Sequence, residues 1–333
     1  MKFKNYLKDL CQEDISKHQN IRIGNAQKHI SLIFQDIKNR KGYNYVKFIS
    51  NTLKVDRRTT RYWRLGISPI PIPFLLGLLD IWKDACNKNE NDVKSKLDEC
   101  FYEPNYFSVM FGKRVNLPKV MTPELAYILG NLFGDGWLTD YRMRIASRGQ
   151  PEYPIGFASN TDKFLKEVIL PYFKELFGIN LKIYEQGNNC FVGKTSSKSV
   201  YFFLNKICGM PLGKKKGKLI IPEIIIGASS EIKTNFIAGF FDADGCIYVK
   251  NKYISIVQAD RRILESISYL IKSLGLSTRK IYTTKKELGT TYDLSVSWKS
   301  VKEFLEIIPF KDSKRIENKE ALLSQFALYG GKK

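Results

Sequence analysis

Two nine-residue segments, 109 positions apart, share a spelling that could do chemistry. The first is Ile128-Leu129-Gly130-Asn131-Leu132-Phe133-Gly134-Asp135-Gly136, and the second is Ile237-Ala238-Gly239-Phe240-Phe241-Asp242-Ala243-Asp244-Gly245. Each has Gly at the third place, a small residue at the seventh, Asp at the eighth and Gly at the ninth. The third and seventh places lie one helical turn apart on one face, so two such helices can meet backbone to backbone. Gly130, Gly134, Gly239 and Ala243 are therefore the candidate helix interface. Asp135 and Asp244 would then project side by side from the helix ends. Two adjacent carboxylates form a hard-oxygen site for a divalent cation, suited to activating water against a phosphate.

The remaining composition narrows the chemistry. The chain has two histidines, His18 and His29, both far in sequence from the paired acids. A histidine general base, a His-ligated zinc and Ser-His-Asp or Cys-His hydrolysis are thereby disfavoured in residues 119–333. What is left there is carboxylate, lysine, water and metal. A net charge of +21 suits a polyanion, with nucleic acid the first expectation. Six cysteines without a C-x-x-C pair suggest reduced thiols and an intracellular setting, not secretion. The start MKFKNYLKDL lacks an apolar signal core, and the most apolar run, 74–79, is too short to span a bilayer.

Those acids need elements to hold them. Residues 1–118 read as an all-α N-terminal domain plus linker, with helical spacing in Ile30-Leu32-Ile33-Ile37, Val46-Ile49-Leu53 and Leu75-Leu78-Ile81. A polar stretch from Asn87 to Glu103 and the segment 112–118 follow, the latter taken as the linker. Thr122-Pro123-Glu124 then starts the first motif helix, with a hydroxyl cap, a first-turn proline and an acid. Residues 119–228 and 229–333 each read as helix, two strands, helix, two strands and helix. The expected fold is thus α+β, with two tandem αββαββα repeats making a pseudo-twofold single chain.

With both motifs and the repeat in view, residues 119 to about 330 resemble a monomeric, two-repeat LAGLIDADG homing endonuclease. The second motif matches that signature at nearly every position, and the first is a degenerate copy with Phe133 where the second has Asp242. The resemblance implies that Asp135 and Asp244, with Gly134 and Ala243 beside them, hold Mg²⁺ (or Mn²⁺) over the DNA minor groove. It also implies that the two repeats form a saddle of two antiparallel sheets, with assisting lysines after the last strand of each repeat. Lys215 is preferred among Lys214, Lys215, Lys216 and Lys218, and Lys314 over Lys311. Gln258 and Asn160 fall where water-organising side chains are placed, although Asn160 also suits helix capping. Asp242 is not assigned to metal.

Strand alternation supplies a DNA surface. With Ile247 and Val249 inward, Tyr248 and Lys250 face outward. Met143 and Ile145 inward put Arg142 and Arg144 outward, and Asp293 and Ser295 alternate with Leu294 and Val296. In the N-terminal region, residues 46–66 resemble a repressor-type helix-turn-helix. Asp56 would cap its second helix, and Arg57, Arg58, Thr60 and Arg61 would face a groove. The termini, Met1 and Gly330-Gly331-Lys332-Lys333, lack the closing His-Asn of a splicing element, so a free-standing protein is expected. The function expected is site-specific cleavage of both strands of a long DNA target by a monomer, leaving 3′ overhangs. The alternatives are a DNA-binding regulator that does not cut, and an RNA intron maturase with intron RNA as partner.

Overall fold

A computed structural model describes residues 2–11, 20–103, 105–110, 112–140, 152–286 and 289–330. Contacts divide the chain into two units. One holds Phe3–Lys119 with Ser197–Phe203, and the other Val120–Ser196 and Leu204–Lys333. Among the described residues no helix is long and apolar enough to cross a membrane.

The first unit is mainly helical, with helices Gln27–Lys41, Tyr45–Thr52, Arg57–Leu65, Ile72–Cys86 and Glu90–Tyr102. The charge-mixed stretch after Asn87 is the last of these. The Asn89 side-chain Oδ1 accepts from the Asp92 backbone amide and the Asp92 carboxylate from the Asn89 backbone amide, both at 3.0 Å, while Leu97, Cys100 and Phe101 go inward. This reciprocal cap explains why so polar a stretch starts a helix. The helices are joined by a small antiparallel sheet that the all-α expectation did not include. Strand β1 (Arg22–Gly24) runs between β2 (Ile70–Pro71) and β3 (Tyr106–Ser108). At Gly24 the ring of Tyr106 lies where a side chain would start, 2.1 Å from a Cβ position. Residues 112–118 are not a free tether, since Val115 exchanges both 2.8 Å backbone hydrogen bonds with Phe107.

The second unit contains the two repeats. Pro123–Gly134 forms the first motif helix, capped by Thr122, whose hydroxyl accepts from the Leu125 amide at 3.2 Å. Strands β4 (Gly136–Leu138), β5 (Pro154–Ser159), β6 (Lys182–Gly187) and β7 (Cys190–Ser196) follow, in sheet order β4-β5-β7-β6. The second motif helix, Ser230–Asp244, leads into β8 (Gly245–Tyr248), β9 (Tyr253–Gln258), β10 (Tyr282–Lys286) and β11 (Gly289–Ser295). Its sheet order, β8-β9-β11-β10, repeats that of the first, and all pairings are antiparallel. Registers agree too: Gly136 pairs with Phe157 as Gly245 pairs with Ile256. Each motif thus ends its helix and starts its sheet within two residues, which fixes the acid relative to both.

The motif helices touch with twofold reciprocity. A methyl group on Gly130 would lie 2.1 Å from the Phe236 carbonyl oxygen, and one on Gly239 would lie 2.0 Å from that of Tyr127. Tyr127 and Phe236 occupy equivalent places three residues before these glycines. Further along, a methyl group on Gly134 would meet the Ala243 Cβ at 2.4 Å. Only glycine permits such backbone approach at 130 and 239, and Gly134 meets Ala243 one turn further on.

Candidate active site

This helix crossing delivers Asp135 and Asp244 to one place. Asp135 caps the end of the first motif helix and Asp244 is the last residue of the second. A methyl group on Gly134 would be 3.0 Å from an Asp244 carboxylate oxygen, so the two helix ends adjoin. Burial raises the Asp244 pKa to about 7, and the negative charge of Asp135 adds to the effect. Lys215, a hydrogen bond from Gln258 and Arg315 oppose it. Asp135 is accessible to solvent at its outer side, yet protein crowds the rest of it. Lost hydration raises its pKa, against the pull of Lys215 and Arg315. Two acids and two cations therefore form one electrostatic group.

Lys215 comes from the turn between Pro211 and Leu219. Leu212 pairs with Leu138 of β4, the Gly213 amide donates to the Leu138 carbonyl at 2.8 Å, and the Gly217 amide donates to Asp260 at 2.6 Å. Gly213 and Gly217 have φ of +69° and +77°, which side-chain-bearing residues rarely adopt. Anchored on both sides, the turn sends the Lys215 ammonium onto the end of the first motif helix. It donates there to the carbonyls of Leu132 (3.4 Å), Phe133 (3.1 Å) and Gly134. Lys214, Lys216 and Lys218 are exposed.

In the second repeat the cation is a different residue from the one expected. Lys314 is exposed, whereas the next residue, Arg315, acts on both carboxylates and has a buried Nε without a hydrogen-bond partner. The helix starts at Ser313, and the Asp312 carboxylate accepts from the Arg315 amide at 3.1 Å. One residue along a helix turns the side chain by about 100°, so the start of the helix decides which base points at the acids. Lys311 instead lies over the rings of Tyr127 and Tyr172, at 5.7 and 5.4 Å.

Gln258 donates to the Asp244 carboxylate at 2.5 Å. Asn160 has no equivalent position. Since Phe157 and Ile256 correspond, the counterpart of Gln258 is Ser159, and Asn160 is exposed one residue further on. Nor does Asn160 cap the following helix, because Thr161 does so by accepting from the Phe164 amide. Asp242 is buried among donors: the Tyr127 hydroxyl (2.6 Å) and the amides of Lys311 (2.8 Å) and Asp312 (3.2 Å). Burial raises its pKa to about 6 against these bonds. It ties the first motif helix to the loop before the last helix. Its counterpart Phe133 packs edge-on against Phe236, with ring centres 5.6 Å apart.

The acid pair fits a hard divalent cation. Its donors are carboxylate and carbonyl oxygens, and their mutual repulsion is what a divalent charge would relieve. Among the described residues no three His, Cys, Asp or Glu side chains gather, so the site is not a closed structural cage. An open carboxylate pair is the donor set Mg²⁺ or Mn²⁺ uses when water and phosphate complete the shell.

Of the sheet residues read as facing DNA, Tyr248 is exposed, opposite buried Ile247. Lys250 belongs to the turn at 249–252 and not to the strand, so alternation says nothing of its direction. Asp293 shares the Tyr248 face but accepts from the Tyr253 hydroxyl at 3.2 Å. Ser295 is only 6% exposed and pairs with buried Ser255. Arg142 and Arg144 lie outside the described residues. A pair that the sequence reading missed is Tyr184 and Tyr282. They occupy equivalent outer-strand places, opposite Val192 and Asp293, and are 46% and 71% exposed. Lys182 and Lys194 pair beside Tyr184. Aligning the two repeats by strand register is the signal that finds them.

In the first unit, helices Tyr45–Thr52 and Arg57–Leu65 flank a turn in which Lys54 has a φ of +52°. Asp56 caps the second helix, accepting from the Thr59 amide at 2.8 Å. Arg57, Arg58 and Arg61 are exposed, with Arg58 bonded to and lying over Tyr62. Thr60 points the other way: it is fully buried and bonded to Ser50 at 2.9 Å, locking the two helices together. If this pair of helices reads DNA, replacing Arg57, Arg58 and Arg61 together with alanine should weaken DNA binding by about 10–100-fold. It should also flatten the salt dependence by roughly one unit per lost phosphate contact. Binding isotherms at several salt concentrations check this, and an unchanged slope would remove these arginines from the interface.

Comparison with known proteins finds likeness in the second unit. Residues 231–309 match the family described as LAGLIDADG-like domain, a span covering nearly all of the second motif helix, its sheet and the following helix. The match falls on the second repeat, and the first repeat has the same order of motif helix and sheet. Curated relatives include the glutamine–fructose-6-phosphate aminotransferase of Methanocaldococcus jannaschii, 25% identical over 88% of this chain and 26% of that protein. Another is the tRNA-splicing ligase RtcB of Pyrococcus furiosus, 31% identical over 58% of this chain and 21% of that one. The chain thus spans about a quarter of the length of these relatives. Among solved structures, that of I-DmoI in complex with DNA and Mn is similar at 22% identity and a TM-score of 0.45. It covers 57% of this chain and 97% of its own.

Proposed function

We propose that this chain is a site-specific, divalent-metal-dependent DNA endonuclease of the homing type, which cuts both strands of a long target and leaves 3′ overhangs. The observation that carries the reading is the juxtaposition of Asp135 and Asp244 at a twofold helix contact, with Lys215 and Arg315 beside them. The carboxylates would hold Mg²⁺ or Mn²⁺, which supplies a nucleophilic water and neutralises charge on the scissile phosphate. Gln258 orients Asp244, and the cations balance the acids and meet the incoming phosphate. The exposed tyrosines and lysines of the outer strands give the duplex a contact surface, and Arg57, Arg58 and Arg61 a second one. The likeness to about a quarter of the length of relatives named for unrelated reactions also fits a mobile element. Six cysteines without a C-x-x-C pair fit an intracellular protein, and two acids supplied by one chain fit a monomer.

The test is a cleavage selection from a randomised or genomic DNA library with Mg²⁺, comparing wild type with Asp135→Asn and Asp244→Asn. Wild type is expected to yield a single long site with 3′ overhangs, and both variants to leave that site intact. Tight binding to a site that is neither cut nor nicked would replace this reading with that of a DNA-binding regulator.

A further inference from the structure

We infer that the Lys215 ammonium is a resident counter-ion of the acid pair: it holds the oxygens that a divalent metal needs and vacates them when metal and phosphate arrive together. The inference rests on the metal-dependent reading above. Its basis is the position of the ammonium on the last turn of the first motif helix, where it donates to the Leu132, Phe133 and Gly134 carbonyls. These carbonyls have no onward helical partner and carry the negative end of the helix dipole. Asp135 is the next residue, and Asp244 adjoins Gly134. An ammonium is a compact charge with three donors, so at a helix end it can imitate a small cation.

A divalent ion held by Asp135, Asp244 and the neighbouring carbonyl would compete with Lys215 for the same oxygens and the same electrostatic well. Both cannot sit there at full strength. The turn that bears Lys215 is pinned at Leu212, Gly213 and Gly217, so a displaced ammonium stays within one side-chain length of the site. Its natural new partner is an anionic phosphate. Metal binding should therefore be weak in the free protein and strengthened by DNA, a positive coupling in which Lys215 is the shared element. Lys215 is thus a positioning residue for the metal as well as a neighbour of the phosphate.

The experiment titrates Mn²⁺ into the full-length protein without DNA, followed by electron paramagnetic resonance. Lys215→Met should bind Mn²⁺ about tenfold more tightly than wild type, within the usual range of coupling effects. Asp135→Asn/Asp244→Asn should not bind it at this site. On the unmodified protein, acetic anhydride labelling of Lys215 should rise severalfold with saturating Mn²⁺, with exposed Lys214 and Lys216 as internal standards. Unchanged labelling, or equal or weaker Mn²⁺ binding by a folded Lys215→Met, overturns the inference while leaving the metal site standing. If wild type takes up no Mn²⁺ even with DNA, the metal reading falls and this inference falls with it. Should Lys215→Met not fold, the labelling result decides alone.

Discussion

Asp244→Asn is expected to abolish strand cleavage, by at least about 10³-fold, and at the same time to make the metal-free protein more stable. The two effects have one cause. Burial and the neighbouring charge of Asp135 raise the Asp244 pKa to about 7, so folding favours its protonated form. The sign follows directly. Between the ordinary carboxylate range near pH 4 and about pH 7, the folded state holds a proton that the unfolded state has released. Stability therefore falls as pH rises through that window, and above it the whole penalty is present. Asparagine removes the charge and with it the penalty, for a gain on the order of 1–3 kcal/mol above pH 7 and none below pH 4. Thermal melts of both proteins at pH 4, 6 and 8 without metal provide the check. Equal melting temperatures at pH 8 would mean that water or the two cations already neutralise the pair.

A second large effect is expected at the helix contact. Gly239→Ala places a methyl carbon 2.0 Å from the Tyr127 carbonyl oxygen and 3.0 Å from the Asn131 amide nitrogen. These are backbone atoms of a helix, so no rotamer change relieves the overlap, and the helices must separate. The expected loss is about 3 kcal/mol or more, at the upper end of overpacking in cores, with a fall in melting temperature of roughly 10 °C. Cleavage should fall as well, because the same contact sets the spacing of the two acids. Gly227→Ala is the control: its Cβ would meet only the Glu223 carbonyl oxygen at an ordinary 3.5 Å, and its φ is negative. Denaturant midpoints of the two variants should separate clearly. A Gly239→Ala protein as stable as wild type would mean that the helices are further apart than described.

Much of this arrangement was legible because it is written in short-range spacing. Glycines one turn apart specify a close helix contact, and a Thr-Pro-Glu start or an Asp before an arginine-rich helix specifies a cap. What spacing cannot specify is phase. Lys314 and Arg315 are both basic, and only the helix start at Ser313 decides which of them turns toward the acids. Asn160 lies one residue past Ser159, the last of its strand, and so misses the place that Gln258 holds in the other repeat. Thr60 reads as outward within a run of exposed arginines, yet its hydroxyl locks the two helices through Ser50. The small sheet around Arg22–Gly24 was invisible for another reason: strands of two or three residues are too short to show a period.

The unequal sixth positions of the two motifs have a further consequence. Asp242 finds its donors on Tyr127 and the 311–312 amides, whereas the place equivalent to Tyr127 in the second repeat is Phe236, which has no hydroxyl to offer. Two copies of the second repeat, set face to face, would each lose that hydroxyl donor and leave a buried carboxylate less well satisfied. The two halves have therefore ceased to be interchangeable: each is shaped for its opposite and not for its twin. A chain committed in this way can let its two sheets diverge independently, and the DNA target proposed for it need have no symmetry at all.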